Sequence, residues 1–270
     1  MPPVQCLVVG VDNHVGAYLA RLLEARGIGN GGGLAGVGER RLLTLLGIAE
    51  SVGSVTAADA NEAAADARLV FAVNDGSAEQ VDAFAAMIDT IASRPRPPRL
   101  VHVADVADLA QPGVRDTMRR LRAVRGIDAA TVLLEAHDSR FGPPDTTMAQ
   151  VIGAVARVDA QPVTIAETGA RDWGWTPEYV DAVQRMAARD RLIDIVVASG
   201  HRLSVADIAE HAHGYFRRMV PIVSVTGVGT DASAIDTAPL LTATGWRATT
   251  FGRDLVRALC EGATDRGSPQ

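Results

Sequence analysis

Four side chains stand where predicted strands give way to loops, and their types can move protons. Asp105 follows the predicted strand Leu100–Ala104, Asp108 comes three residues later, and Glu135 and His137 follow the predicted strand Ala129–Leu134. Paired acids held at different pKa values can act as acid and base without a cofactor, and histidine titrates near neutrality. This set points to an elimination, isomerisation or cyclisation. Each residue also has a plainer reading, Asp108 as the cap of the next helix and His137 as a hydrogen-bonded structural histidine; adjacent strand ends are what join them. The chain has no lysine, which excludes a Schiff base or a lysine proton relay. His211 and His213 lie two apart on a predicted helix and face different ways, so no metal site is expected.

The elements that must position these groups begin at the first turn. Cys6–Val9 reads as a buried strand that turns at Gly10 and enters a helix at Gly16-Ala17-Tyr18-Leu19. In doubly wound α/β proteins this turn aims backbone N–H groups at a dinucleotide pyrophosphate, and its glycines clear the approach. Gly10 and Gly16 occupy two of the three glycine positions, while Asn13 occupies the middle one and brings a side chain. A plain strand-to-helix connection fits the turn equally well. Gly27–Gly38 holds seven glycines and reads as a mobile loop. It stands where a second strand should end, with neither a ribose-binding acid nor arginines for a 2′-phosphate. Arg40 and Arg41 then read as solvated surface.

Ser54–Asp59 reads as a short third strand, with Asp59 placed either to meet an adenine amino group or, like Asn61, to cap the next helix. Leu69–Val73 is a buried strand ending in Asn74-Asp75-Gly76, at the crevice edge of an open sheet, which makes Asn74 a candidate substrate contact. A helix over 77–92, a proline-stiffened link over 93–99 and an arginine-rich helix over 112–125 complete the sheet layers. Later come a helix over 146–157, a strand over 163–166, a helix capped by Thr176 with Pro177 at its first position, and a strand over 193–198. A helix over 204–216 capped by Ser204 and short helices over 236–244 and 251–261 follow. The expected architecture is α/β: a Rossmann-like doubly wound parallel sheet with a small C-terminal α/β substrate lobe. Its boundaries are 1–137 for the Rossmann-like domain, 138–262 for the lobe with some crossover to the sheet, and 263–270 for a disordered tail.

A chain of 270 residues, 47% apolar, buries a substantial core. Its net charge of −6 offers no footprint for nucleic acid. Two cysteines, both in apolar settings, predict a reducing, cytoplasmic compartment. No apolar run reaches membrane-spanning length and no signal peptide is expected.

Arg171-Asp172-Trp173-Gly174-Trp175-Thr176-Pro177-Glu178-Tyr179-Val180 resembles the R-D-W-G-[YW]-x-P-E-Y-V run of the extended short-chain dehydrogenase/reductase superfamily, and within it of the GDP-mannose 4,6-dehydratases. The first turn with Tyr18 and Leu19, Ala136-His137-Asp138-Ser139 beside the family's N-H-E-S, Ala198-Ser199-Gly200 and Gly245-Trp246 extend the resemblance over nearly the whole chain. It implies a Rossmann domain with a small substrate lobe, and substrate contacts at Ser139 and Arg171. The family's members hold NADP and use a Y-x-x-x-K pair. Counting back from Ala136 without gaps puts that pair near Ala107 and Gln111; the resemblance sets its threonine at Asp105, at the end of the fifth strand, its glutamate near Ala107 or Asp108, a lysine of the next helix at Gln150 and a phosphate-binding arginine near the C-terminus at Thr226. No cofactor is therefore expected, with Gly10, Asn13, Gly16 and Asp59 left as a vestigial or weak set for NADP should the turn still function. Two functions follow from this: a non-redox biosynthetic reaction in the old crevice, acting on a small molecule, or a catalytically silent homologue that binds a ligand or partner. A homodimer, or a heteromer with an active homologue, accompanies the second; an active NADP-dependent sugar-nucleotide dehydratase is the remaining alternative.

Overall fold

The computed structural model describes residues 5–28, 33–74, 77–110, 112–124, 126–157, 163–165, 169–224 and 235–267. In chain order, β1 is Cys6–Val9, α1 His14–Ala25, β2 Leu34–Val37, α2 Arg41–Leu45, β3 Gly53–Val55, α3 Ala60–Asp66, β4 Leu69–Asn74, α4 Ala78–Ala92, β5 Arg99–Asp105, α5 Pro112–Ala123 and β6 Ala129–Leu134. A 3-10 turn, Val106–Ala110, separates β5 from α5. Next come β7 His137–Asp138, α6 Thr147–Ala156, β8 Val163–Ile165, β9 Arg171–Asp172, β10 Gly174–Trp175, α7 Thr176–Ala187 and β11 Ile195–Val197. The remaining elements are β12 Arg202–Leu203, α8 Val205–Phe216, β13 Ile222–Ser224, α9 Ala238–Thr244 and α10 Gly252–Gly267.

The chain forms two compact units. The first holds 1–134, 179–197 and 239–246 and is built on a seven-stranded sheet in the order β11-β6-β5-β4-β1-β2-β3, with every pairing parallel. Strands covered on both faces become near-continuous apolar runs, as in Leu69–Val73 and in Leu100–Ala104, where His102 is the one polar residue. The order reverses between β1 and β4, the switch point of a doubly wound sheet, so the expected fold class is the observed one. One layer of core joins Phe84, Ile88 and Ile91 of α4 to Val70, Ala72 and Leu100 of the sheet.

The second unit holds 135–178, 198–238 and 247–270. Its core is made by α6, α8 and α10, where Val151, Ile152, Ile208, Ala212, Val256 and Leu259 are buried together with Trp173 and Leu203. After α7 the chain supplies β11, which pairs with β6 at the edge of the main sheet. Among the described residues no helix is long and apolar enough to cross a membrane.

Several local expectations need correction. The glycine-rich stretch contains a strand: Leu34, Ala35 and Val37 are buried in β2, and Gly36 is required because a Cβ there would meet Val11 Cγ1 at 2.8 Å. Gly29 to Gly32, Asp75, Gly76, Gln111 and Thr226 lie outside the described residues. Thr176 is helical rather than a cap, and its buried hydroxyl has no partner among the described residues. The last helix runs on to Gly267, beyond the expected end at Glu261 and into the stretch assigned to a tail. Ser204 does cap α8, in a reciprocal box with Asp207.

Candidate functional site

In the first unit, the glycines of the β1–α1 turn are fixed by backbone packing. Gly10 has φ +91°, and a Cβ there would lie 2.6 Å from the Val73 carbonyl oxygen. A Cβ on Gly16 would lie 2.1 Å from the carbonyl oxygen of Gly10 itself. Asn13 is the N-cap of α1, its Oδ1 accepting from the Val15 N–H at 2.8 Å. Asp12 reaches across to the end of β2, where a Cβ on Gly38 would come within 2.3 Å of its Oδ1.

At the other strand ends, Asn74 closes β4 and is buried, Asp105 closes β5, and Asp108 lies in the 3-10 turn with Ala107. Asp59 stands at the N-cap position of α3 without making a capping bond; its carboxylate instead accepts from the Thr56 hydroxyl at 2.6 Å. Asn61 lies inside α3. With β2 now at Leu34–Val37, Glu39 and Arg41 follow its end, an acid that the loop reading of this stretch passed over and a cation that it took for solvated surface. Arg40 is committed to structure, donating to the Val52 carbonyl at 2.7 Å and to that of Ala49. His102 is fully buried in β5, stacked on Phe84, and burial, partly opposed by the Asp194 charge, pushes its pKa down to about 4. It is a neutral core residue at physiological pH.

In the second unit, β7 pairs in parallel with β10, setting His137 beside Gly174 and Asp138 beside Trp175. His137 is buried, with Nδ1 2.8 Å from the carbonyl oxygen of Glu135. A carbonyl only accepts, so in the neutral ring Nδ1 carries the hydrogen and Nε2 is the basic nitrogen. Asp138 acts as a clamp, accepting from the Ser139 N–H and the Thr146 hydroxyl, each at 2.7 Å. Gly142 leaves room for this carboxylate, since a Cβ there would lie 2.0 Å from Oδ1. Ser139 is buried, and its hydroxyl accepts from the Phe141 N–H at 3.2 Å.

The aromatic-rich run 171–180 holds two further carboxylates whose roles sequence reasoning missed. Buried Asp172 accepts from the Ser199 N–H and hydroxyl, both at 2.8 Å, and from the Gly200 N–H at 2.7 Å, tying β9 to the Ala198-Ser199-Gly200 loop. Glu178 accepts four bonds, from the N–H and hydroxyl groups of Thr249 and Thr250. Burial works against its charge, but these bonds outweigh it and leave the pKa below the usual carboxylate value. Arg171 is half-buried in β9 and in register with Leu203 of β12. For Asp172 the signal was present in sequence, since its donors Ser199 and Gly200 form a second segment of the same resemblance; the Thr249 and Thr250 donors of Glu178 lie just past Gly245-Trp246, outside it.

The structure thus brings Glu135 and His137 together in the second unit, while Asp105 and Asp108 share one strand end in the first. Asp105 is in register with Leu134, the residue before Glu135. Among the described residues no three His, Cys, Asp or Glu side chains gather to hold a metal.

The family model described as GDP-mannose 4,6 dehydratase matches residues 113–256, more than half of the chain. The chain belongs to the GDP-mannose 4,6 dehydratase family. Solved structures share its fold. An NAD-dependent NDP-hexosamine 5,6-dehydratase involved in tunicamycin biosynthesis has a TM-score of 0.80 at 15% identity, over 97% of this chain and 98% of its own. UDP-glucuronic acid 4-epimerase from Bacillus cereus, in complex with UDP-glucuronic acid and NAD, has a TM-score of 0.82 at 10% identity, over 97% and 100%. dTDP-glucose 4,6-dehydratase from Bacillus anthracis, in complex with NAD, has a TM-score of 0.80 at 7% identity, over 98% and 97%. The first is NAD-dependent and the other two hold NAD, so the expectation of no cofactor is not supported by these relatives.

Proposed function

We propose that this family member performs a non-redox acid/base reaction on a small molecule, with His137 as the principal proton acceptor. The observation that carries this reading is the Nδ1 contact of His137 with the Glu135 carbonyl, which orients the ring and leaves Nε2 as its base. In an elimination, Nε2 takes a proton from carbon, the carboxyl group of Glu135 protonates the departing hydroxyl, and water leaves.

A nicotinamide route has less support. The chain has no lysine, and Ala107 lies in a 3-10 turn ahead of α5, so neither half of the family's pair has a counterpart there. Nicotinamide dinucleotides supply hydride transfer, and their pyrophosphate needs an open turn of N–H groups. Here Asn13 occupies one of those donors and Asp12 adds a carboxylate to the same turn, a poor fit for an anion.

The use of Asp138, Asp172 and Glu178 as scaffold clamps favours a second reading, a catalytically silent homologue that binds a ligand or partner. The test is to incubate the purified chain, without added cofactor, with GDP-mannose, dTDP-glucose and UDP-glucuronic acid and to follow the products by mass spectrometry. Loss of water or isomerisation that falls at least a hundredfold in His137→Gln supports the proposal; conversion untouched by that change overturns it. Binding without conversion selects the silent reading.

A further inference from the structure

Asp138 is 1% exposed and directly follows His137, the base of the proposed reaction. A buried carboxylate is a costly way to satisfy two donors, yet here it accepts from the Ser139 N–H and the Thr146 hydroxyl, each at 2.7 Å. Being an acceptor only, it makes both donors point at it, whereas an amide could turn over and exchange roles. The Thr146 hydroxyl is committed in both directions, donating to Asp138 and accepting from the Ala149 N–H at 3.1 Å as the N-cap of α6. Helix α6 is itself fixed, since Val151, Ile152 and Val155 are buried in one core with residues of α8 and α10. The segment between is wound tightly about the carboxylate. The Gly142 N–H donates to the Ser139 carbonyl at 3.1 Å, and a Cβ on Gly142 would strike Asp138 Oδ1 at 2.0 Å. Gln150 ties the start of α6 to the same segment, its amide donating to the Asp145 carbonyl at 2.8 Å.

We propose that Asp138 and Thr146 are positioning residues for His137, carrying the rigidity of α6 to the imidazole and holding it in the tautomer whose basic nitrogen is Nε2. The role rests on the acid/base reading of His137 given above. Which ring nitrogen of a neutral histidine carries the proton is decided by the bond that the proton makes. For His137 that bond runs from Nδ1 to the Glu135 carbonyl at 2.8 Å, only two residues back, so it lasts while the backbone over 135–137 keeps its shape. Strand β7 is two residues long, and its ladder with β10 sets only His137 beside Gly174 and Asp138 beside Trp175. The Gly174 N–H donates to the Ala136 carbonyl at 2.9 Å, just ahead of that ladder. So short a ladder is a weak support, and the Asp138 clamp anchors its far end. Bonds thus run from the Ala149 N–H through the Thr146 hydroxyl to the carboxylate beside the base, each polarising the next. The proton stays on Nδ1 because the strand beneath the ring stays in place.

Imidazole nitrogen NMR shifts of the full chain, isotope-labelled at histidine, read the tautomer at about pH 8.5, where an ordinary imidazole is neutral. His137→Gln assigns its resonances among the six histidines. Thr146→Gly removes the hydroxyl donor while leaving a tolerable N-cap, so the chain stays folded. The two ring-nitrogen shifts of His137, far apart in the wild type, are expected to converge in Thr146→Gly towards the averaged values of a ring that exchanges between tautomers. Thr146→Ser restores the hydroxyl and is expected to restore the separation; Asp138→Asn is expected to fall between. In the sugar-nucleotide assay Thr146→Gly is expected to lower kcat at least tenfold with KM within about twofold, and Thr146→Ser to recover it. Shifts that stay apart in Thr146→Gly, or that Thr146→Ser fails to restore, overturn the proposal even if the melting temperature falls. A tautomer that follows the clamp in a chain converting no sugar nucleotide upholds the positioning of the ring and overturns the acid/base reading instead.

Discussion

Asn13 uses its side chain on the Val15 N–H, so this donor at the start of α1 is already bonded within the chain. Asn13→Gly is expected to cost only a few tenths of a kcal/mol, because glycine is a tolerable N-cap. Combined with Asp12→Ser, it is expected to raise affinity for NAD at least tenfold in isothermal titration calorimetry; unchanged affinity would mean that these two residues do not close the turn. Gly16 has no such latitude, as its absent Cβ faces a backbone oxygen at 2.1 Å. His102 makes a pH prediction. Its pKa falls from 6.5 to about 4 on folding, so the unfolded ring binds protons more readily. Its contribution is fully present above about pH 6.5 and is lost as pH falls towards 4, up to about 3 kcal/mol. Denaturant titrations at pH 7 and pH 4.5 read this, and His102→Gln is expected to flatten the difference. An equal slope in the variant would assign it to other groups.

At the scale of elements, the acids of the 171–180 run hold segments that are distant in sequence. Removing the Asp172 carboxylate leaves the Ser199 and Gly200 donors unsatisfied in a buried place, so Asp172→Ala is expected to cost about 2–4 kcal/mol and Asp172→Asn distinctly less. Thermal unfolding of the two variants checks the order. Glu178 acts in the same way at lower burial. Its depressed pKa stabilises the fold above the ordinary carboxylate value of 4.5 and loses that effect as pH falls through the folded pKa. Most elements were legible because parallel strands are near-continuous apolar runs and helix starts carry Ser, Thr or Asn caps. β2 was hidden because Gly36 and Gly38 serve close approaches to Val11 and Asp12, and glycine in a sequence does not distinguish a packed strand from a loop. Asp59 was ambiguous for a different reason: Thr56, three residues away, competes for its carboxylate.

For the whole molecule, the fold and the family were both readable from the spacing of a few motifs, whereas the chemistry was not. Ancestry resides in the first turn and the 171–180 run, whose residues hold the chain together. Function resides in which strand-end groups meet a substrate, and a pattern of residue types does not fix that. His137 was a candidate from type and position alone; the tautomer that makes Nε2 its base depends on a carbonyl two residues back, which no composition reveals. The central claim is that this scaffold works without hydride transfer. The most direct measurement is the nicotinamide content of the purified chain after denaturation, together with reduced-nicotinamide absorbance during turnover of sugar nucleotides with NAD or NADP supplied. The account predicts no stoichiometric nicotinamide and no substrate-dependent change in that absorbance. Bound NAD or NADP whose oxidation state follows sugar-nucleotide turnover would contradict it.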